Sequence, residues 1–220
     1  MDMFIRKSFL SGMFITIAAT VFLMSPNNIV GSFFFSLGLL AILAGGFTLY
    51  TGYVGYLSIQ NKRQNVLKYF YNTCLVWIGN MFGSIFASVL ISASPISKLI
   101  EPKLHSLMVF KFETGWYSLI VLGFFCGILM FTAVNTWKYT AQHNIAKCII
   151  VILCVMVFIT CKFEHCVANM GYTLLYAWHN DSWYTFWQMH RVLLFTTIGN
   201  LLGCCFIPRM YPRICSNYIE

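Results

Sequence analysis

Apolar residues run along this chain in blocks, not in the alternation of a half-buried strand or the single stripe of a water-facing helix. Six blocks approach or exceed the about 20 apolar residues a helix needs to cross a bilayer: residues 8–24, 29–57, 72–93, 116–137, 145–178 and 189–208. The first follows Arg6 and Lys7, as a signal peptide would. Met24-Ser25-Pro26-Asn27-Asn28 then reads as a tight turn without a small-x-small cleavage site, so the block is a retained span. The second and fifth blocks are too long. As straight helices they would run roughly 43 and 51 Å, against a hydrocarbon core of about 30 Å. Each carries an interruption near its middle: Gly45-Gly46-Phe47-Thr48-Leu49-Tyr50-Thr51-Gly52 in one, Lys162-Phe163-Glu164-His165-Cys166-Val167-Ala168-Asn169 in the other. Both helices are predicted to break inside the membrane.

A repeat follows from the spans. Ile78-Gly79-Asn80-Met81-Phe82-Gly83 in the third recurs as Ile198-Gly199-Asn200-Leu201-Leu202-Gly203 in the sixth. Each copy sits on the span after a broken one, so the pattern is plain, broken, then GNxxG, twice over. An odd number of spans per half makes the two copies enter the membrane from opposite faces. The fold expected is an all-α membrane protein in one domain over 1–220, with repeat one at about 1–95 and repeat two at about 112–210. Inverted repeats with discontinuous helices are typical of transporters, whose sites lie where the breaks meet near the midplane. Gly79, Gly83, Gly199 and Gly203 have the small-xxx-small spacing of close helix packing. Asn80 and Asn200 stand open between interhelical glue and pore lining.

Composition removes the other classes. Only 9% of the residues are charged and 59% are hydrophobic, with a mean hydropathy of +0.74, whereas a soluble domain carries roughly 25% charged residues. A soluble enzyme, a disordered tail and a nucleic-acid binder are excluded despite the net charge of +8. The basic residues instead report orientation. With the N-terminus inside, the inner segments hold Arg6, Lys7, Lys62, Arg63, Lys68, Lys138, Lys147, Arg209 and Arg213. The outer ones hold Lys98, Lys103 and Lys111 with Glu101 and Glu113, and Asp181. This predicts a multi-pass cell-membrane protein with both termini cytoplasmic. The 9 cysteines have no CxxC spacing, so neither a disulfide framework nor a metal site is expected, and no cofactor. Trp178, Trp183, Tyr184 and Trp187 read as an interfacial belt, and His105, His143, His179 and His190 as solvated.

Glu164 and His165 are ionisable groups deep in apolar sequence, where such residues face a bundle interior or an ion path. A neighbouring carboxylate can orient an imidazole and raise its proton affinity. Lys162 beside them has two readings: a charge that attracts anions, or a lysine that snorkels to the interface or pairs with Glu113.

Phe163-Glu164-His165-Cys166-Val167-Ala168-Asn169-Met170 closely resembles the FEHSxANM motif of the formate/nitrite transporter family. Gly46-Phe47-Thr48-Leu49-Tyr50-Thr51-Gly52 resembles its G-x-[DE]-L-F-T-G segment, and the GN pairs and Gly127-Ile128-Leu129 fall in register. The resemblance implies an aquaporin-like protomer, assembled as a homopentamer, each with its own pore for small monovalent anions. It makes His165 the central pore histidine and Thr51 the threonine of the facing loop. Leu39, Leu49 and Tyr50 match one apolar constriction, and Phe35, Val134 and Phe158 the other. Glu164 and Asn169 match the partners that hold the histidine and its helix. Departures are Thr48 for the acidic residue, Phe131 for an asparagine after GIL, Lys162 for the glycine before FEH, and no aligned counterpart of the lysine before span four. These bear on substrate choice more than on fold.

The expected function is a channel or transporter for formate, nitrite or short monocarboxylates such as acetate or lactate. A proton supplied by His165, or by water polarised beside it, is expected to accompany the anion. A channel for a neutral solute such as water or ammonia is the alternative, although paired NPA boxes are absent. An intramembrane enzyme using Cys166 or Cys161 lacks a polar group to orient His165, and a scaffold has no need of two symmetric breaks.

Overall fold

The computed structural model describes residues 3–60, 62–139, 143–180 and 182–215, so Asp181 lies outside the described residues. The architecture is all-helical. Among the described residues, four helices are long and apolar enough to cross a membrane: α1 (Met3–Met24), α4 (Arg63–Ser92), α6 (Trp116–Tyr139) and α9 (Trp183–Met210). The two shorter apolar helices, α2 (Asn28–Ala44) and α7 (Asn144–Thr160), stop part-way and resume after a gap. The resumption of α2 is α3 (Tyr50–Tyr53) with a 3-10 turn over Val54–Ile59, and that of α7 is α8 (Cys166–Ala177).

The Ser25-Pro26-Asn27 turn ends α1, and Asn27 then caps α2, its side-chain oxygen accepting the Val30 N–H at 2.9 Å. The α4 and α9 helices extend upstream of the apolar blocks that predicted them, because helix continues into polar flanking residues once the span is formed. One helix was not expected. Residues between the third and fourth blocks read as a charged outer segment, yet α5 (Ile96–Glu113) forms there with Pro102 in its interior. Proline removes a backbone donor, but the buried stripe of Ile100, Leu104 and Met108 supplies the packing that holds the helix.

Both interruptions are made the same way. Gly46 takes a left-handed φ of 62°, the Phe47 N–H reaches back to the Ile42 carbonyl (2.9 Å), and the chain runs extended to Leu49. Lys162 takes φ 55°, the Phe163 N–H reaches back to Phe158 (2.8 Å), and the chain runs extended to His165. This is a left-handed helix stop, a place for glycine. Lysine there carries about 1 kcal/mol or more of backbone strain.

Close helix packing rests on the glycines. A Cβ at Gly83 would land on the Phe9 carbonyl of α1, and one at Gly203 on the Phe124 carbonyl of α6. At Gly79 it would sit 2.6 Å from the Ser8 Cβ, and at Gly199 2.9 Å from the Gly123 Cα. The GNxxG motifs therefore bring α4 onto α1 and α9 onto α6 at near main-chain contact. Buried hydroxyls are absorbed within the helices, as where Thr16 donates to the Gly12 carbonyl and Thr173 to that of Asn169. Large apolar side chains such as Phe34, Leu37, Phe82, Leu153 and Leu202 cover the outside.

Candidate functional site

The two interruptions meet through one hydrogen bond. Thr51, on the second residue of α3, lies 3.0 Å from His165 Nε2, and both side chains are buried. His165 is also the N-cap of α8: its Nδ1 accepts the Ala168 N–H at 3.0 Å. An Nδ1 that accepts has no proton, so the imidazole is neutral, with its hydrogen on Nε2 and directed at the Thr51 oxygen. Protonating Nδ1 would forfeit the cap.

Asn80 and Asn200 hold the interruptions open. Asn80 Oδ1 accepts the Tyr50 N–H (2.9 Å), while Nδ2 donates to the Ser8 and Thr48 carbonyls (2.7 and 3.2 Å). Asn200 Oδ1 accepts the Cys166 N–H (2.8 Å), and Nδ2 donates to the Gly123 and Glu164 carbonyls (both 2.8 Å). Each amide takes up backbone groups that a broken helix would otherwise leave unpaired in a dry interior. Both are fully buried, and these hydrogen bonds run to main-chain groups of neighbouring segments.

Glu164 does not orient the imidazole, contrary to expectation. Its carboxylate accepts two bonds from Lys111 Nζ, at 2.6 and 2.7 Å, and one from Asn169 Nδ2 at 2.8 Å. Lys111 is 5% and Glu164 1% exposed, and theirs is the one ion pair among the described residues. Asn169 Oδ1 accepts from none of the described residues. Lys111 was passed over because its segment was not read as helix. Once α5 is a helix, Lys111 continues the buried stripe of Ile100, Leu104 and Met108 at 3- and 4-residue spacing, and a lysine on such a stripe demands a carboxylate. It also ceases to count as a loop charge.

A cavity of about 330 Å³ opens on this cluster, lined among others by Lys103, Lys111, Lys162, Glu164, His165 and Asn169. Lys162 is exposed at its rim, with Nζ 4.4 Å from the centre of the Phe110 ring, and is not paired with Glu113. A second cavity of only about 10 Å³ is lined by Thr48, Leu49, Gly52, Val134 and Lys138. His165 lines the wide chamber, and Leu49 and Gly52, close to Thr51 in the chain, line the narrow one.

All six residues expected at the constrictions are buried: Phe35, Leu39, Leu49, Tyr50, Val134 and Phe158. Phe158 lines the wide chamber, its ring edge-on to Phe35 at 5.7 Å and 5.8 Å from the His165 ring. Val134 lines the narrow chamber beside Leu49. It sits on α6 against Gly52, where a Cβ would meet Val134 at 2.8 Å. No group of His, Cys, Asp and Glu among the described residues could hold a metal ion.

A family model described as formate/nitrite transporter matches residues 1–213. The chain belongs to the formate/nitrite transporter family. Its similarity to the nitrite transporter NirC of Salmonella typhimurium is 28% identity over 174 residues, covering 77% of this chain and 64% of that one. With the formate channel FocA of Haemophilus influenzae it is 27% over 150 residues, covering 66% and 52%. The chain thus spans less than two thirds of the length of these relatives, which are transporters and channels, not enzymes. Among solved structures, a pentameric formate channel with formate bound superposes at a TM-score of 0.81 with 22% identity, over 98% of this chain and 96% of that one. An ion channel of the formate/nitrite transporter family superposes at 0.82 with 23% identity, over 99% and 90%. These two likenesses establish the fold.

Proposed function

We propose that this chain is a protomer of a homopentameric membrane channel that moves formate, nitrite or a related short monocarboxylate together with a proton. On this reading α2 with α3, and α7 with α8, are broken spans, so that six spans form two inverted three-helix repeats with both termini in the cytoplasm of a cell-membrane protein. The matched built form of the two interruptions and the paired roles of Asn80 and Asn200 support the repeat. The charge balance between inner and outer segments supports the orientation. The pentamer follows from the likeness to the formate channel.

One observation carries the anion assignment: a wide chamber whose polar lining includes Lys103, Lys111 and Lys162 but Glu164 as its sole carboxylate, leading to a neutral histidine among apolar rings. Lysine charge raises the local concentration of small anions. An unpaired anion cannot proceed past Phe158 and Phe35, because losing its hydration there is too costly. Taking up a proton removes that obstacle. The imidazole presents a single N–H toward the path and keeps its other nitrogen committed to Ala168. Water polarised beside it is therefore the better proton donor of the two considered, and the open acceptor on Asn169 Oδ1 suits such a water or the acid itself. The lysine lining is also what favours this reading over a channel for water or ammonia.

His165→Phe in proteoliposomes is the test, with a panel of formate, nitrite, acetate, lactate and hydrosulfide and an internal pH probe. Loss of the N–H donor is expected to lower flux about tenfold or more, equivalent to about 1.4 kcal/mol of barrier, and to remove the acidification that accompanies uptake. Unchanged pH-dependent uptake would refute the proton step.

Lys162 yields a prediction of opposite signs. Lys162→Gly relaxes a left-handed residue, so stability should rise by about 1 kcal/mol, read as a higher thermal midpoint. The same change removes a rim cation, so the half-saturating anion concentration should rise too. A lysine that only snorkels would leave that concentration unaltered.

A further inference from the structure

Lys111 reaches Glu164 only if the last turn of α5 is held in place, and the group that holds it comes from another helix. Arg191, in the third turn of α9, fans its guanidinium over the end of α5. Nη1 donates to the Thr114 carbonyl at 2.8 Å, while Nη2 donates to those of Phe112 at 2.7 Å and Lys111 at 3.4 Å. Its Nε is fixed by Gln188 Oε1 at 2.7 Å, one turn earlier on α9. The last carbonyls of a helix have no partner within it, and they carry the negative end of its dipole. A planar fork of donors fits several of them at once where a single ammonium cannot. Near its middle, α5 is also tied by Lys103, whose Nζ donates to the carbonyls of Phe22 in the last turn of α1 and of Ser25 just after it.

We infer that Arg191 is a positioning residue for the anion path: it anchors the C-terminal turn of α5 and so sets the Lys111 ammonium against Glu164 in the wide chamber. The arginine's hydrogen bonds reach no side chain of the path, and it lines neither cavity. It acts through the main chain of Lys111 itself and of the residues just after it. This deepens the anion-channel reading and rests on it for the transport readout, but not for the chemical one.

The experiment compares Arg191→Gln and Arg191→Lys with the full chain in proteoliposomes. The chemical readout is acetylation of Lys111 by a limiting dose of acetic anhydride, followed by peptide mass spectrometry, with Lys162 at the rim as internal reference. In the unaltered protein Lys111 is buried and ion-paired, and its labelling relative to Lys162 should be low. Arg191→Gln should raise that ratio at least about fivefold, as loss of charge-assisted hydrogen bonds frees the turn. The half-saturating anion concentration, applied from the wide-chamber side, should rise by a similar factor while maximal flux stays within about twofold, the split expected when uniform binding is lost. Arg191→Lys should fall between the two, because it keeps the charge and loses the fork.

Labelling and half-saturation unchanged in Arg191→Gln would overturn the inference. So would a fall in maximal flux that merely tracks the amount of folded protein, which is the mark of a structural role. Full recovery by Arg191→Lys would overturn it as well, since charge alone would then suffice. If the unaltered protein moved no anion, the transport reading would fail, while the labelling ratio would still decide the role of Arg191.

Discussion

Glu164→Ala is expected to lower anion flux by about a hundredfold or more and to destabilise the folded protein by about 3–5 kcal/mol, the usual consequence of removing one member of a buried ion pair. The Lys111 ammonium would remain 5% exposed with no counter-charge, and Asn169 Nδ2 would lose its acceptor. The informative comparison is the double variant Lys111→Met with Glu164→Gln. Replacing a buried pair by neutral groups of similar volume is often close to neutral for stability, and glutamine keeps an oxygen for Asn169. The thermal midpoint in detergent should therefore return toward that of the starting protein. Flux in proteoliposomes should not, because on the proposed reading the cation that draws anions toward His165 is gone. A double variant that conducts as well as the original would make the pair purely structural and remove the main support for the anion assignment.

The second large effect lies at the helix contacts. Gly203→Leu should yield no monodisperse protein on size-exclusion chromatography. Its first side-chain carbon would coincide with the Phe124 carbonyl, and Phe124 belongs to the main chain of α6, which cannot swing aside. The penalty should exceed the about 1–3 kcal/mol typical of overpacking, where side chains can yield. Lipid tails are as apolar as leucine, so no hydrophobic drive compensates for a lost close contact between membrane helices. Gly115→Ala is the matched control: nothing lies within 4 Å of a Cβ there, and the change should stay within about 0.5 kcal/mol. If Gly203→Leu folds and Gly115→Ala does not, the small-residue contact between α6 and α9 is not what holds them together.

Much of this was legible in the sequence, for physical reasons. Gly45-Gly46 and the Lys162-to-Asn169 cluster stood out because excess length and mid-span polarity leave a chain few alternatives to breaking. Thr51 and His165 were anticipated on opposite breaks, and they meet at 3.0 Å. The bond between Glu164 and His165 was not found because adjacency misleads in extended backbone. His165 has φ −104° and ψ 117°, and successive side chains of an extended segment point to opposite sides. One turns to Lys111, the other to Thr51. Lys111 itself was hidden by Pro95, Pro102 and the charges around them, which disguised α5 as a loop and buried the stripe that would have exposed the lysine's position. Arg191 stood out only as a charge inside the sixth apolar block, and its partners carried no signal, since they are carbonyls and every residue has one.

If the proposed path joins the two unequal chambers, it has a pharmacological consequence. A carboxylate drug large enough to fill some 330 Å³ finds lysines and aromatic rings to grip on one face, and on the other a cleft of about 10 Å³, which is room for a single water. On the proposed reading, blockade by such a compound is expected to be one-sided, so the face on which it must be dosed would be set by which mouth the cell presents to its surroundings.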